Sequence, residues 1–99
     1  LAVVECPWGV MRLAQIGIPA VALLGIHLSP TQVQLLRQTP RILLMLDGDQ
    51  AGRSASRQIA DALNIYTRTQ VHRVDLPQGL DPDDLDDSEL SRRLSPLLP

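Results

Sequence analysis

The sequence contains no lysine and no phenylalanine, and only one tryptophan, one tyrosine and one cysteine. Each shortage excludes something. A single thiol, Cys6, rules out an internal disulfide framework and a zinc cluster built on thiolates, and it fits a reducing, cytoplasmic setting. With so few aromatic residues, the core must be filled by Leu, Val, Ile and Ala. No apolar run approaches the roughly 20 residues needed to span a bilayer, and no basic start followed by a long apolar stretch marks a signal peptide. All nine basic residues are arginine, and the formal net charge is −2. That balance argues against a domain that holds nucleic acid by bulk electrostatics, because such domains carry a basic excess. Any nucleic-acid contact must be local, metal-mediated or supplied by another domain.

What is present describes one domain. Hydrophobic residues make up 44% of the chain, enough for a real core. Three short apolar runs, Leu1–Val4, Ala20–Leu24 and Ile42–Leu46, are continuous rather than alternating, as in parallel strands buried on both faces. Helical spacing lies between them. One helix is expected over Trp8–Ile16, stopped by Gly17 and Pro19, and another over Pro30–Gln38 behind the N-cap Ser29. Ala51, Ala55, Ile59, Ala62 and Leu63 form the apolar stripe of a third. Gln70–Leu76 alternates, as in a strand at a sheet edge, and a short acidic helix closes the chain. The expected fold is α/β: a compact Rossmann-like sandwich of about four mostly parallel strands with helices on both faces. One domain is expected over residues 1–95, with a frayed tail at 96–99. Because Leu1 already lies inside an apolar run, the chain is expected to be a piece of something longer.

The acids carry the chemistry. Glu5 follows the first strand, and Asp47 and Asp49 follow the third. The carboxyl ends of strands form the ligand crevice of open α/β sheets. Asp47-Gly48-Asp49 puts two carboxylates at i and i+2, expected to point the same way from extended backbone, with Gly48 allowing close approach. Three crowded carboxylates repel one another, and a hard cation such as Mg²⁺, bound through oxygen, removes that cost.

These residues sit in four ordered blocks: Val3-Val4-Glu5 with Pro7-Trp8, Leu24-Gly25, Leu46-Asp47-Gly48-Asp49-Gln50-Ala51-Gly52-Arg53, and Leu76-Pro77-Gln78-Gly79-Leu80-Asp81-Pro82-Asp83-Asp84-Leu85. In order and spacing they resemble the Toprim domain of bacterial DNA primases, across about residues 2 to 85. The resemblance implies a Toprim fold and Mg²⁺- or Mn²⁺-dependent nucleotidyl transfer in RNA primer synthesis. It implies that Glu5 is the catalytic acid or base, that Asp47 and Asp49 hold the metal, and that Asp81 and Asp83 add further ligands. Nucleic acid and nucleotides are then the partners, with a flanking domain or partner protein to help hold them, and no membrane. The sequence departs from the primase pattern at Cys6, where Gly is usual, at Gly9, where Asp is common, and at Ile26-His27. Two other readings of the same site stay open: a phosphodiesterase or nuclease with water as nucleophile, and a metal- and phosphate-binding module that has lost turnover. Tyr66, near the far end of the third helix, gives little support to a topoisomerase, and a phosphoacceptor receiver domain needs a lysine that is absent.

Several residues have plainer readings. Asp49 suits an N-cap of the third helix, and Asp81-Pro82-Asp83-Asp84 suits a cap and acidic first turn whose helix ends at Arg92 and Arg93. Arg53 and Arg57, one turn apart beside the site, are candidates for phosphate contact. His27 and His72 lack a second ligand at metal spacing and read as surface or half-buried residues. Cys6 reads as a small packed residue, and Trp8 with Met11, at i and i+3, as core rather than a nucleotide platform.

Overall fold

In a computed structural model, which describes residues 1–24, 28–65 and 69–97, the four strands form one parallel sheet. The strands are β1 (Ala2–Val4), β2 (Ala20–Ala22), β3 (Arg41–Leu44) and β4 (Gln70–Arg73), in the order β2-β1-β3-β4. Every neighbouring pair is parallel: Ala2 faces Ala20 on one side and Leu43 on the other, and Ile42 faces Val71. The helices between them are α1 (Pro7–Ala14), α2 (Pro30–Leu36) and α3 (Gln50–Asn64). The α4 helix (Asp87–Leu94) follows β4. The α/β expectation holds. Among the described residues no helix is long and apolar enough to cross a membrane.

Period-two alternation along the central strands divides the core into two. Ala2 and Val4 of β1, and Leu43 with Met45 beyond β3, pack with Leu13 of α1 and with Leu90 and Leu94 of α4. Val3, Ile42, Leu44 and Leu46 face the other way, onto Ala55, Ile59, Ala60 and Leu63 of α3 and Leu36 of α2. A fully buried Leu or Val stabilises by about 1.5–3 kcal/mol through area removed from water. These small aliphatic side chains therefore build a core on each face without aromatic residues.

The strand ends differ from the sequence reading where burial is one-sided. The β2 strand stops at Ala22 and lies at an edge, with Val21 exposed, so it is not covered on both faces as its apolar run suggests. β4 is the other edge, as its alternation indicates, although its ladder positions end at Arg73. One ladder-like bond continues beyond them, from the Val74 N–H to the Leu44 carbonyl at 2.8 Å. The closing acidic segment is not one helix. Asp81 caps a 3-10 turn over Pro82–Asp84, and Asp86 caps α4 separately. The described part of the expected tail is also held: Ser95–Leu97 forms a 3-10 turn, and Arg41 Nη1 donates to the Leu97 carbonyl at 2.8 Å. Gly25, Ile26, His27 and Tyr66 lie outside the described residues.

The topology positions the site. From β1 the chain crosses by α1 to β2 on one side, returns by α2 past β1 to β3, and continues by α3 to β4. The direction of winding thus reverses between β1 and β3, and a crevice opens at such a switch point at the carboxyl ends of the strands.

Candidate metal centre at the strand switch point

Glu5 and Asp47 are the first acids beyond β1 and β3, so they meet in this crevice. The Asp47 backbone N–H donates to Glu5 Oε2 at 3.3 Å. The Glu5 carboxyl is pushed up to about 7 from its ordinary 4.5. Desolvation is the largest cause, followed by the neighbouring Asp47 carboxyl; Asp49 adds a weaker repulsion, and the Asp47 N–H acts in the opposite direction.

A second acidic segment joins them through one glycine. The Gly48 N–H donates to the Leu80 carbonyl, and the Gly79 N–H donates to the Gly48 carbonyl, both at 2.7 Å. This contact leaves no space at Gly48 for a side chain: a Cβ there would collide with the Pro77 carbonyl oxygen and reach the Leu76 carbonyl oxygen at 2.9 Å. The glycine between the two aspartates therefore lets the loop after β4 lie against the loop after β3. As a result Asp81, Pro82 and Asp83 line one small pocket with Glu5 and Asp47, offering about 60 Å³ to water-sized occupants. Asp81 is raised above its usual range by burial and then by Asp84, and it also senses Asp47 and Asp83.

The remaining predicted residues are placed less simply. Asp49 does not point with Asp47 as the i, i+2 spacing suggests. Its carboxylate accepts from the Gly52 N–H at 2.6 Å and caps α3, and it is absent from the pocket lining although its charge reaches Glu5. Asp81 likewise accepts from the Asp83 N–H at 2.9 Å, while Asp84 accepts from the Asp81 N–H at 2.9 Å, a reciprocal capping box. Arg53 Nη2 donates to the Leu76 carbonyl at 3.1 Å, and its Nε is buried without an acceptor, so this guanidinium ties α3 to the exit of β4. Arg57, one turn further along α3, is exposed. His72 is half-buried, as expected.

Two expectations are overturned around the pocket. Trp8 and Met11 are not core but exposed, because α1 buries Gly9 and Leu13, which turns positions 8 and 11 outward. Cys6 is exposed rather than packed, since it sits at the N-cap of α1, where it makes no side-chain capping bond. Cys6 and Trp8 border the pocket. The Gly9–Leu13 spacing was the available signal that Trp8 faces outward. At Gly9 itself a Cβ would press on Val4 Cγ2 at 3.1 Å, so the glycine allows α1 to lie close on β1.

Among the described residues no three acidic, histidine or cysteine side chains converge closely enough to enclose a cation as they stand. The donor set nevertheless fits a hard divalent ion. It is all carboxylate oxygen, its charges help to raise the proton affinity of Glu5 and Asp81, and none of the salt bridges among the described residues reaches Glu5, Asp47, Asp49, Asp81 or Asp83. An Mg²⁺ ion bound through one or two carboxylates keeps several waters and needs no closed protein cage.

Comparison with known proteins identifies the family and the fold. Residues 2–86 match the Toprim-like family. The chain is 42% identical over 89 residues to a DNA primase of Pseudomonas aeruginosa, covering 86% of this chain and 13% of that protein. It is 41% identical over 87 residues to a DNA primase of Haemophilus influenzae, covering 84% of this chain and 15% of that one. The chain thus spans about one-seventh of the length of these relatives. A crystal structure of the zinc-binding and RNA polymerase domains of Aquifex aeolicus primase superposes with a TM-score of 0.81 at 34% identity, over 96% of this chain and 25% of that one. The primase fragment of the bacteriophage T7 primase-helicase shares the fold, with a TM-score of 0.70 at 21% identity, over 97% of this chain and 42% of that one. The chain belongs to the Toprim-like family, as a Toprim domain of the bacterial DNA primase type.

Proposed function

We propose that this domain is the metal-dependent nucleotidyl-transfer core of a primase-type protein, acting in RNA primer synthesis. The observation that carries the proposal is the crowded Glu5–Asp47 pair at the switch point, with the Asp81–Asp83 segment brought to it by the Gly48 contact. A Mg²⁺ or Mn²⁺ ion held by Asp47, Asp81 and Asp83, with Asp49 released from its cap, would neutralise charge on the transferring phosphate. Glu5 is poised near neutrality, so it can take a proton from an attacking hydroxyl or return one to a leaving oxygen. Arg57, exposed on α3, and Arg53, were it released from the Leu76 carbonyl, would be the cations for phosphate oxygens.

With a net charge of −2 and no lysine, the domain has little to hold a polyanionic template. Template binding is therefore assigned to another domain or partner. Nucleotidyl transfer requires reacting atoms held about 3–3.5 Å apart, so the isolated chain should show little primer synthesis.

A second reading, a binding module without turnover, is favoured by two features. Gly9 leaves no carboxylate where primases commonly have one, and Asp49 is engaged as a cap. Titration with Mg²⁺ or Mn²⁺ followed by NMR separates the possibilities. Glu5, Asp47, Asp81 and Asp83 should respond together; no response up to about 10 mM, ample for a weak Mg²⁺ site, would overturn both readings. Primer synthesis with a template-binding primase domain supplied in trans, abolished by Glu5→Gln while metal binding persists, would establish the transferase. Metal-dependent cleavage of single-stranded DNA by the isolated chain would instead show a nuclease, and metal binding without activity in either context would show the binding module.

A further inference from the structure

The only tryptophan of the sequence stands in the first turn of α1, 62% exposed, on the rim of the pocket lined by Glu5, Asp47, Asp81 and Asp83. It belongs to neither core, and Met11, one turn along, is 58% exposed beside it. Most of this aromatic surface is left in water rather than packed in a core. It answers a difficulty set by the charge. Four carboxylates repel a nucleic-acid backbone and the lining of this pocket supplies no cation, so a contact that does not depend on charge suits a strand at its rim. Stacking of a base on an aromatic ring meets that condition and tolerates any sequence, because every base has a π-face.

We propose that Trp8 is a stacking platform for an unpaired nucleobase, belonging to either a single strand or a nucleotide, at the mouth of the carboxylate pocket. The proposal rests on the phosphoryl-transfer reading of that pocket and adds to it the contact that locates the base. Trp8 touches the substrate but takes no part in proton or phosphate transfer. Rigid alignment of a base beside the carboxylates also serves the positioning that such chemistry demands.

Because Trp8 is the only tryptophan, its own fluorescence reports the contact. The whole chain is titrated with a short oligothymidylate, with an abasic oligomer of the same length and with a mononucleotide, each with and without Mg²⁺. The expected result is saturable quenching by the base-bearing ligands and none by the abasic oligomer. Comparison of the strand with the mononucleotide shows which source supplies the base. Trp8→Ala should weaken binding of the base-bearing ligand, followed by NMR, about 5- to 150-fold, the factor one base–aromatic stack is worth, while Trp8→Phe should retain most of it. An absence of quenching at millimolar ligand, or equal quenching by the abasic oligomer, would overturn the proposal. So would a Trp8→Leu variant that binds as well as the parent, which would show that the base does not stack on the ring. Failure of the underlying reading looks different: quenching would survive while Mg²⁺ left the pocket resonances unmoved.

Discussion

Two acidic regions of this chain resemble each other in sequence and differ in physical state. Around α4, Asp87 meets Arg12 at 2.6 Å, and Glu89 is clasped by Arg92 and Arg93 at 2.7 and 2.9 Å. These arginines hold the Glu89 carboxyl below its ordinary range. At the switch point, Glu5 and Asp81 are pushed up instead, by burial and by other carboxyls, with no cation bridging them among the described residues. Acids that stabilise a fold are paired with arginine or placed at helix starts. Acids kept together unpaired and partly desolvated destabilise it, which is the pattern of a candidate functional site.

Breaking the junction that creates the unpaired region should have the largest effect. Gly48→Ala forces a Cβ into the Pro77 carbonyl and should destabilise by about 3 kcal/mol, a drop on the order of 15 °C in Tm for a domain of this size. Metal response should vanish at Asp81 and Asp83. If thermal unfolding is unchanged, the two loops do not meet as described.

The paired region should show a smaller loss. Arg12 reaches both Asp87 and the Leu85 carbonyl, the latter at 3.0 Å, and its side chain is only 15% exposed. Arg12→Ala should cost about 1.5 kcal/mol, mostly from the hydrogen bond to that carbonyl. Arg92 lies in an exposed pair, and Arg92→Ala should leave Tm unresolvably different.

The unpaired region should respond with the opposite sign. Glu5→Gln should raise stability in metal-free buffer at pH 8 by about 1 kcal/mol, the scale of relieved strain at a functional site. The pH dependence has a fixed direction. With the folded-state value near 7 and the ordinary one 4.5, the folded chain holds a proton that the unfolded chain has lost, so stability falls as pH rises through that window. Thermal melts between pH 5 and 8, without metal, should show this slope in the parent and a reduced one in Glu5→Gln. Added Mg²⁺ should stabilise the parent most at the alkaline end. A parent chain that gains stability from pH 5 to 8 would show Glu5 to be compensated after all.

Much of this was legible in the residues, and the limits are informative. The apolar runs of β1 and β3 were readable because central parallel strands bury both faces, while β2 misled because an edge strand can carry the same run half exposed. Glu5 and Asp47 were readable as strand-end acids, and Ser29 as a cap, since its hydroxyl accepts from the Gln32 N–H three residues on. Asp49 was readable in two ways. Spacing alone could not decide, because an aspartate just before a helix can turn its carboxylate either to the helix N–H groups or outward.

By itself, the sequence determined the order of strands and helices, the aliphatic core and the identity of the acids, since periodicity and turn chemistry act over a few residues. Only the tertiary structure decided which loops touch. The sheet order β2-β1-β3-β4 makes Glu5 and Asp47 neighbours, and the contact of Gly48 with Leu80 carries Asp81 to them. The packing of Gly9 and Leu13 likewise turned Trp8 outward at the pocket rim. Contacts between residues some 30 to 40 positions apart depend on the register of packed layers, which no local pattern of residues encodes.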